Sequence, residues 1–116
     1  MSYSASCHCG AVQAAIAEDL PKRGMTCNCS ICRRKGTVLH FTSADNVRIE
    51  ASADAIGSYQ FNRHVIEHQF CRSCGCSPFA RGSTPDGGQM VAVNLRCVPE
   101  CDLDALEIDK VDGASF

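Results

Sequence analysis

Apolar and polar residues alternate along this chain in short stretches, each too brief for a helix of ordinary length. Ala11 to Ala17 alternates loosely, with Val12 apolar and Gln13 polar. Val38 to Thr42 and Val47 to Ile49 are short runs rich in β-branched and aromatic residues. Ile56, Tyr59 and Phe61 lead into Asn62-Arg63, a hairpin turn by its composition, and Val65 to Phe70 follows. Met90 to Leu95 has the clearest period of two: Val91, Val93 and Leu95 share one face, with Ala92 and Asn94 on the other. That period belongs to strands.

Two stretches depart from it. Ser30 to Lys35 predicts a short helix, with Asn28 or Ser30 as its N-cap and Gly36 as its stop. Asp102 to Leu106 predicts one further helical turn, and Pro85-Asp86-Gly87-Gly88 marks a tight reversal. The expected fold is mainly β, with one or two short helical turns. No repeat, low-complexity tract or linker divides the chain, so residues 1–116 are expected to form a single domain.

Composition adds a question of what fastens the core. Apolar residues make up 45% of the 116, an ordinary share, but Trp is absent and aromatics are only 6%. A domain of this size with few large rings gains from a further fastening. Ten cysteines could supply it, as disulfides or as metal ligands. The start, Met1-Ser2-Tyr3-Ser4-Ala5-Ser6-Cys7, has neither the basic residues nor the apolar run of a secretory signal. No stretch reaches the roughly 18 apolar residues of a membrane span. The expected location is the cytoplasm, whose reducing conditions favour metal binding over disulfides. A formal net charge of −2, more negative still once thiolates bind metal, gives no electrostatic reason to expect nucleic acid as a partner.

Eight of the cysteines fall into three clusters: Cys7-His8-Cys9, Cys27-Asn28-Cys29-Ser30-Ile31-Cys32 and Cys71-Arg72-Ser73-Cys74-Gly75-Cys76. Tetrahedral zinc takes four ligands, and one tight turn supplies two when they are one or two residues apart. Cys71 and Cys74, backed by Gly75, have the spacing of a zinc knuckle, in which glycine lets backbone amides turn towards sulfur. Cys7 and Cys9 offer the second pair for a structural zinc. Cys27, Cys29 and Cys32 remain, enough for a tripod on a second metal with its fourth position open. That fourth position could instead be closed by Cys76 or a histidine, which would make the site structural. Cys29 and Cys32 sit at the start of the expected helix, where amides favour thiolate. Arg33, Arg34 and Lys35 follow, either as a solvated face or as a pocket for a substrate carboxylate.

Other candidates are weaker. Cys97 continues the face of Val91, Val93 and Leu95 and reads as core; Cys101 reads as a free thiol in a loop. His68 suits a structural or supporting role, and His8 an exposed one. His40, alternating with Val38 and Thr42, is the candidate polar group near the open metal.

The order of these clusters resembles the glutathione-dependent formaldehyde-activating enzyme family, which includes the centromere protein V-like proteins. The resemblance begins at Cys7-His8-Cys9-Gly10-Ala11-Val12 and runs through Cys27-Asn28-Cys29-Ser30-Ile31-Cys32-Arg33-Arg34-Lys35-Gly36. It continues over Phe70-Cys71-Arg72-Ser73-Cys74-Gly75 and Val93-Asn94-Leu95-Arg96-Cys97, and ends at Asp102-Leu103-Asp104 and Asp112-Gly113. It implies an Mss4-like fold, folded sheets around a zinc knuckle. It also implies a structural zinc on Cys7, Cys9, Cys71 and Cys74 and a catalytic zinc on Cys27, Cys29 and Cys32, the partition that spacing alone suggests. Cys76 and Cys101 depart from the family pattern. The chain is also shorter than the founding enzyme, so no glutathione-binding residue carries over.

The expected function is that of a carbon–sulfur lyase or synthase with two zinc ions per chain, acting on an adduct of an aldehyde and a small thiol such as glutathione. Three thiolates make zinc a weak Lewis acid, and no Glu adjoins the triplet to serve as base, which disfavours hydrolysis. A non-catalytic zinc-stabilised binding module is the alternative, and a four-ligand second site would favour it. A thiol-buffering role for Cys76, Cys97 and Cys101 has no reactive pair behind it.

Overall fold

Ten strands form two sheets among the residues described by the computed structural model, 1–61 and 66–115. The Asn62-Arg63 turn and Val65 lie outside the described residues. β1 (Tyr3–Ser6), β2 (Gln13–Ile16) and β5 (Val47–Glu50) make a three-stranded antiparallel sheet in the order β1-β2-β5. The larger sheet has seven strands. Across it run β10 (Glu107–Val111), β3 (Arg23–Cys27), β4 (Leu39–Ser43), β9 (Gln89–Asn94), β8 (Phe79–Ser83), β7 (Ile66–Cys71) and β6 (Ile56–Tyr59). Its pairings are antiparallel except that β10 runs parallel to β3.

The core lies where the sheets share their apolar faces. Tyr3, Ala5, Ala14 and Ile16 of the small sheet cluster with Phe79, Val91 and Val93 of the large one, with Val38, Leu95 and Val98 beside them. The expected Val91/Val93/Leu95 face is therefore correct. Leu95 lies just past the end of β9, opening a short 3₁₀ turn, Leu95–Cys97.

The sequence-based expectation for Ala11 to Ala17 shortens to β2, because Cys7 to Val12 closes into a loop. The Cys7 amide donates to the Val12 carbonyl at 2.9 Å, and Gly10 takes a φ of 84°, which glycine adopts without strain. The one α-helix among the described residues, α1, spans Ser30–Lys35 as expected and stops at Gly36, φ 68°. Its N-cap is Cys29 rather than Asn28 or Ser30. Asn28 is occupied elsewhere: its side-chain amide donates to Asp112, and its carbonyl oxygen accepts from the Ala114 amide. Asp102 to Leu106 forms a 3₁₀ turn, Leu103–Ala105, and Pro85 to Gly88 reverses the chain between β8 and β9, with Gly87 at φ 89°. No helix among the described residues is long and apolar enough to cross a membrane.

The other face of the large sheet carries the site. Successive side chains on a strand point to opposite faces, and paired residues share one. The register therefore lays Phe41, Ala92, Ala80 and His68 in one row across β4, β9, β8 and β7. The next row holds Ser43, Met90, Gly82 and Ile66. Ala92, Ala80 and Gly82 in the middle of these rows are small, while Phe41, His68 and Ile66 at their edges are larger. The helix Ser30–Lys35 borders this face with Ile31, Cys32 and Lys35, and the small side chains beside it leave a hollow.

Asn94 ends β9 and is 7% exposed, where it joins three segments. Its carbonyl oxygen accepts from the amides of Val38 at 3.3 Å and Arg96 at 3.2 Å, and its side-chain amide donates to the Ser77 carbonyl at 3.0 Å. Asn94→Ala leaves these buried groups without partners and is expected to cost roughly 1–3 kcal/mol, read from a denaturant melt.

Candidate functional site

Two sets of sulfur atoms converge. Cys7, Cys9, Cys71 and Cys74 place their sulfurs within 4.8 Å of one another, although Cys9 and Cys71 are 62 residues apart in sequence. Cys27, Cys29 and Cys32 do the same. The first set fits a tetrahedral ion closely. With Zn–S bonds of about 2.3 Å, the sulfur–sulfur edges of a tetrahedron are about 3.8 Å. Here Cys7 and Cys9 are 3.7 Å apart, and Cys9 and Cys71 3.6 Å.

Local backbone makes that first set. Gly75, at φ 82°, turns the chain behind Cys74 and donates its amide to the Cys71 carbonyl at 2.9 Å. The Ser73 amide points at Cys71 Sγ, 3.4 Å away, and the Val12 amide at Cys7 Sγ, 3.3 Å. Such donors favour thiolate over thiol. The backbone amide of Cys76, and that of Cys9 behind it, bring Cys74 down to about 5. Cys71 is lowered by the amides of Cys74 and Ser73. The Ala11 amide pulls Cys9 down, but hydrogen bonds shared with Cys71 and Cys7 outweigh it and raise Cys9 to about 11. An ion bound by the four sulfurs would displace any protons they carry.

The second set is built where β3 meets α1. Cys27 ends β3, Cys29 caps α1 and Cys32 lies one turn on. The Cys29 amide points at Cys27 Sγ, 3.5 Å away. Burial pushes Cys29 up, but the Cys32 amide, the Cys32 thiol and the Cys27 thiol together bring it below the usual thiol range. Burial and the neighbouring Cys29 push Cys32 up to about 12. Among the described residues no fourth Cys, His, Asp or Glu joins the three. Cys76 is partly buried against the core and gives its carbonyl to the Cys71 amide, so the structure leaves it with the first loop.

A C-terminal segment packs against this tripod. Strand β10 pairs with β3 up to Val111 opposite Cys27, and Arg23 reinforces the pairing through Asp109, at 2.7 Å, and Glu107. The Asn28 bonds to Asp112 and Ala114 then hold Gly113 over the sulfurs. A methyl group on Gly113 would overlap Cys27 Sγ and press on Cys29 Cβ. Gly113→Ala is therefore expected to weaken metal binding at this set about 10- to 100-fold, as loss of supporting contacts does. Competition against a chromophoric chelator measures it, with the first set as the internal reference.

The three sulfurs open on the hollow described above, a cavity of about 330 Å³. Its lining includes Met25, Leu39, Phe41, Phe61, Ile66 and Phe79, with Ala80, Gly82, Met90 and Ala92 across the sheet. Lys35, Thr37, His68, Arg81 and Asn94 are among its polar side chains. Lys35 remains largely exposed, yet burial of part of the side chain lowers its pKa, while the nearby Cys32 pulls the other way. Burial, with Lys35 next, also lowers His68, which stacks on Phe61 with ring centroids 5.4 Å apart.

Several sequence candidates sit elsewhere. His40 faces the other side of β4 from Leu39 and Phe41, with its Nε2 3.4 Å from the Glu18 carboxylate. The period of two that made it a candidate turns it away from the tripod. Arg33 is exposed, and Arg34 donates to the Ser30 carbonyl of its own helix at 2.8 Å; the basic residue of that run which lines the cavity is Lys35. His8 is exposed. Cys97 is half-buried at the core edge with its Sγ 3.7 Å from the Ser77 carbonyl, and burial raises its pKa to about 11. Cys101 is partly buried beside the core. Sequence reasoning missed His68 as a cavity residue and Gly113 as a cover for Cys27. The register of Ala80 and Gly82 against Ala92 and Met90 would have signalled the cavity, but pairing is not visible in one sequence.

A family model described as glutathione-dependent formaldehyde-activating enzyme matches residues 2–107. The crystal structure of a protein from Rhodobacter sphaeroides superposes with a TM-score of 0.74 at 25% sequence identity. The match covers 91% of this chain and 99% of that one.

Proposed function

Because the chain belongs to the glutathione-dependent formaldehyde-activating enzyme family, we propose that it is a zinc-dependent carbon–sulfur lyase or synthase. Its substrate would be a thiol–aldehyde adduct, the class to which S-(hydroxymethyl)glutathione belongs. Cys7, Cys9, Cys71 and Cys74 would hold a structural zinc, and Cys27, Cys29 and Cys32 a second. The observation that carries this reading is the convergence of three cysteine sulfurs at the mouth of a cavity, with no fourth protein ligand among the described residues. Zinc held by these residues would lower the pKa of a bound thiol and so supply thiolate near neutral pH.

The chain's own residues do the rest. Cys27, Cys29 and Cys32 fix the direction from which a thiol can approach, and the apolar walls keep water from the aldehyde carbon. The thiol adds to that carbon: a sulfur–carbon bond forms, the carbonyl π bond opens, and the thiol's proton ends on the oxygen. The lyase direction is the reverse. Lys35 contributes a cation beside Cys32 that offsets thiolate charge. The exposed Arg33 and Arg34 remain available only to a group outside the cavity. A reducing cytoplasm would suit so many free thiols.

The test is adduct formation from formaldehyde and a thiol, followed by NMR with and without the zinc-loaded protein. Acceleration that disappears on chelation is expected. Metal-loaded protein that neither accelerates the reaction nor binds any thiol would leave the non-catalytic binding module as the reading.

A further inference from the structure

Resting on the thiol-adduct reading above, we propose that the thiol taken by this site carries an apolar group of about the size of an aromatic ring. A charged peptide such as glutathione is then the poorer ligand. The cavity holds about 330 Å³, near the lower end of small-molecule pockets. Its floor is Ala80, Gly82 and Ala92, and Phe41 and Ile66 stand at its sides, each 47% exposed. Large apolar side chains so open to solvent at the edges of a hollow gain by closing on an apolar ligand.

Glutathione has the opposite chemistry. It carries two carboxylates, an ammonium and two peptide bonds, and each needs a partner once water is removed. Among the described residues, the charged ones that touch the cavity are Lys35 and Arg81, and no acidic residue lines it to receive the ammonium. A thiol with a phenyl or branched alkyl group needs none of these partners. With its sulfur at Cys27, Cys29 and Cys32, its ring would lie along Ala92 and Ala80 between Phe41 and His68, in a single row of the sheet. The reaction it would undergo is the addition already described, which consumes no oxidant or reductant.

Calorimetric titration of the zinc-loaded protein with 2-phenylethanethiol, 2-mercaptoethanol and glutathione tests this. The phenyl compound is expected to bind at least about tenfold more tightly than glutathione, from the apolar area it buries. Ala92→Phe, which fills the floor, is expected to cost the phenyl compound about tenfold and to leave 2-mercaptoethanol within about twofold. Should that variant not melt cooperatively, the smaller change Ala80→Leu carries the same expectation. Glutathione binding as tightly as the phenyl compound would overturn the inference alone, and so would floor variants without effect. Binding by none of the three thiols would overturn the proposed function and the inference together.

Discussion

Replacing Cys71 with serine is expected to leave the protein without a cooperative fold at room temperature. Cys71 is fully buried at the end of β7, and its sulfur lies against that of Cys9 from the N-terminal loop. A four-thiolate zinc site is worth on the order of 10 kcal/mol of apparent folding free energy, comparable to the whole stability of a domain. Serine keeps the volume but is a poor zinc ligand, so most of that contribution disappears. The loop around Gly10 and the knuckle around Gly75 then lose the link that joins them. Circular dichroism and a thermal melt read the result. A cooperative melt within a few degrees of wild type would show that the four sulfurs are an ornament on a self-sufficient core.

Acid acts on the same site. Cys74 is held at about 5 against an ordinary value of 9.0. A depressed thiol contributes stability in full above the unfolded value and loses it as pH falls through the folded one. Stability is therefore expected to decline as pH drops from 9 towards 5. Cys9, raised to about 11, titrates above that window. Tm measured across the range checks the sign.

Cys32→Ala has a different expected outcome: a folded protein without activity. The second sulfur set lies at a β3–α1 junction that buries none of the helix's residues, so a metal held there would contribute less to the global fold. Two sulfurs cannot define an open tetrahedral position, and the bound thiol loses its activation. Metal activation is worth several kcal/mol of barrier, so adduct formation is expected to fall at least about 100-fold. Tm should change by only a few degrees. If activity survives in a metal-depleted Cys32→Ala protein, the tripod is not where the chemistry happens.

Both sulfur sets were legible in the sequence because metal ligands cluster in tight turns, and turns are local. The short helix Ser30–Lys35 and its stop at Gly36 were legible for the same reason. Its cap was not, since Asn28 is drawn away by Asp112 and Ala114, more than 80 residues on. His40 shows the limit of alternation: a period of two says which residues share a face but not which face meets the core. Glu18 settles that for β4, by accepting from Thr42 at 2.9 Å and lying beside His40. The cavity was invisible for a deeper reason. It exists because Ala80, Gly82 and Ala92 fall side by side, and that depends on strand register across the sheet.

The most direct measurement is the metal content of freshly purified protein by native mass spectrometry, paired with its Cys32→Ala variant. Two zinc ions per wild-type chain are expected, and one in the variant with the fold retained. Folded wild-type protein carrying no metal, or a variant that keeps both ions, would contradict the account.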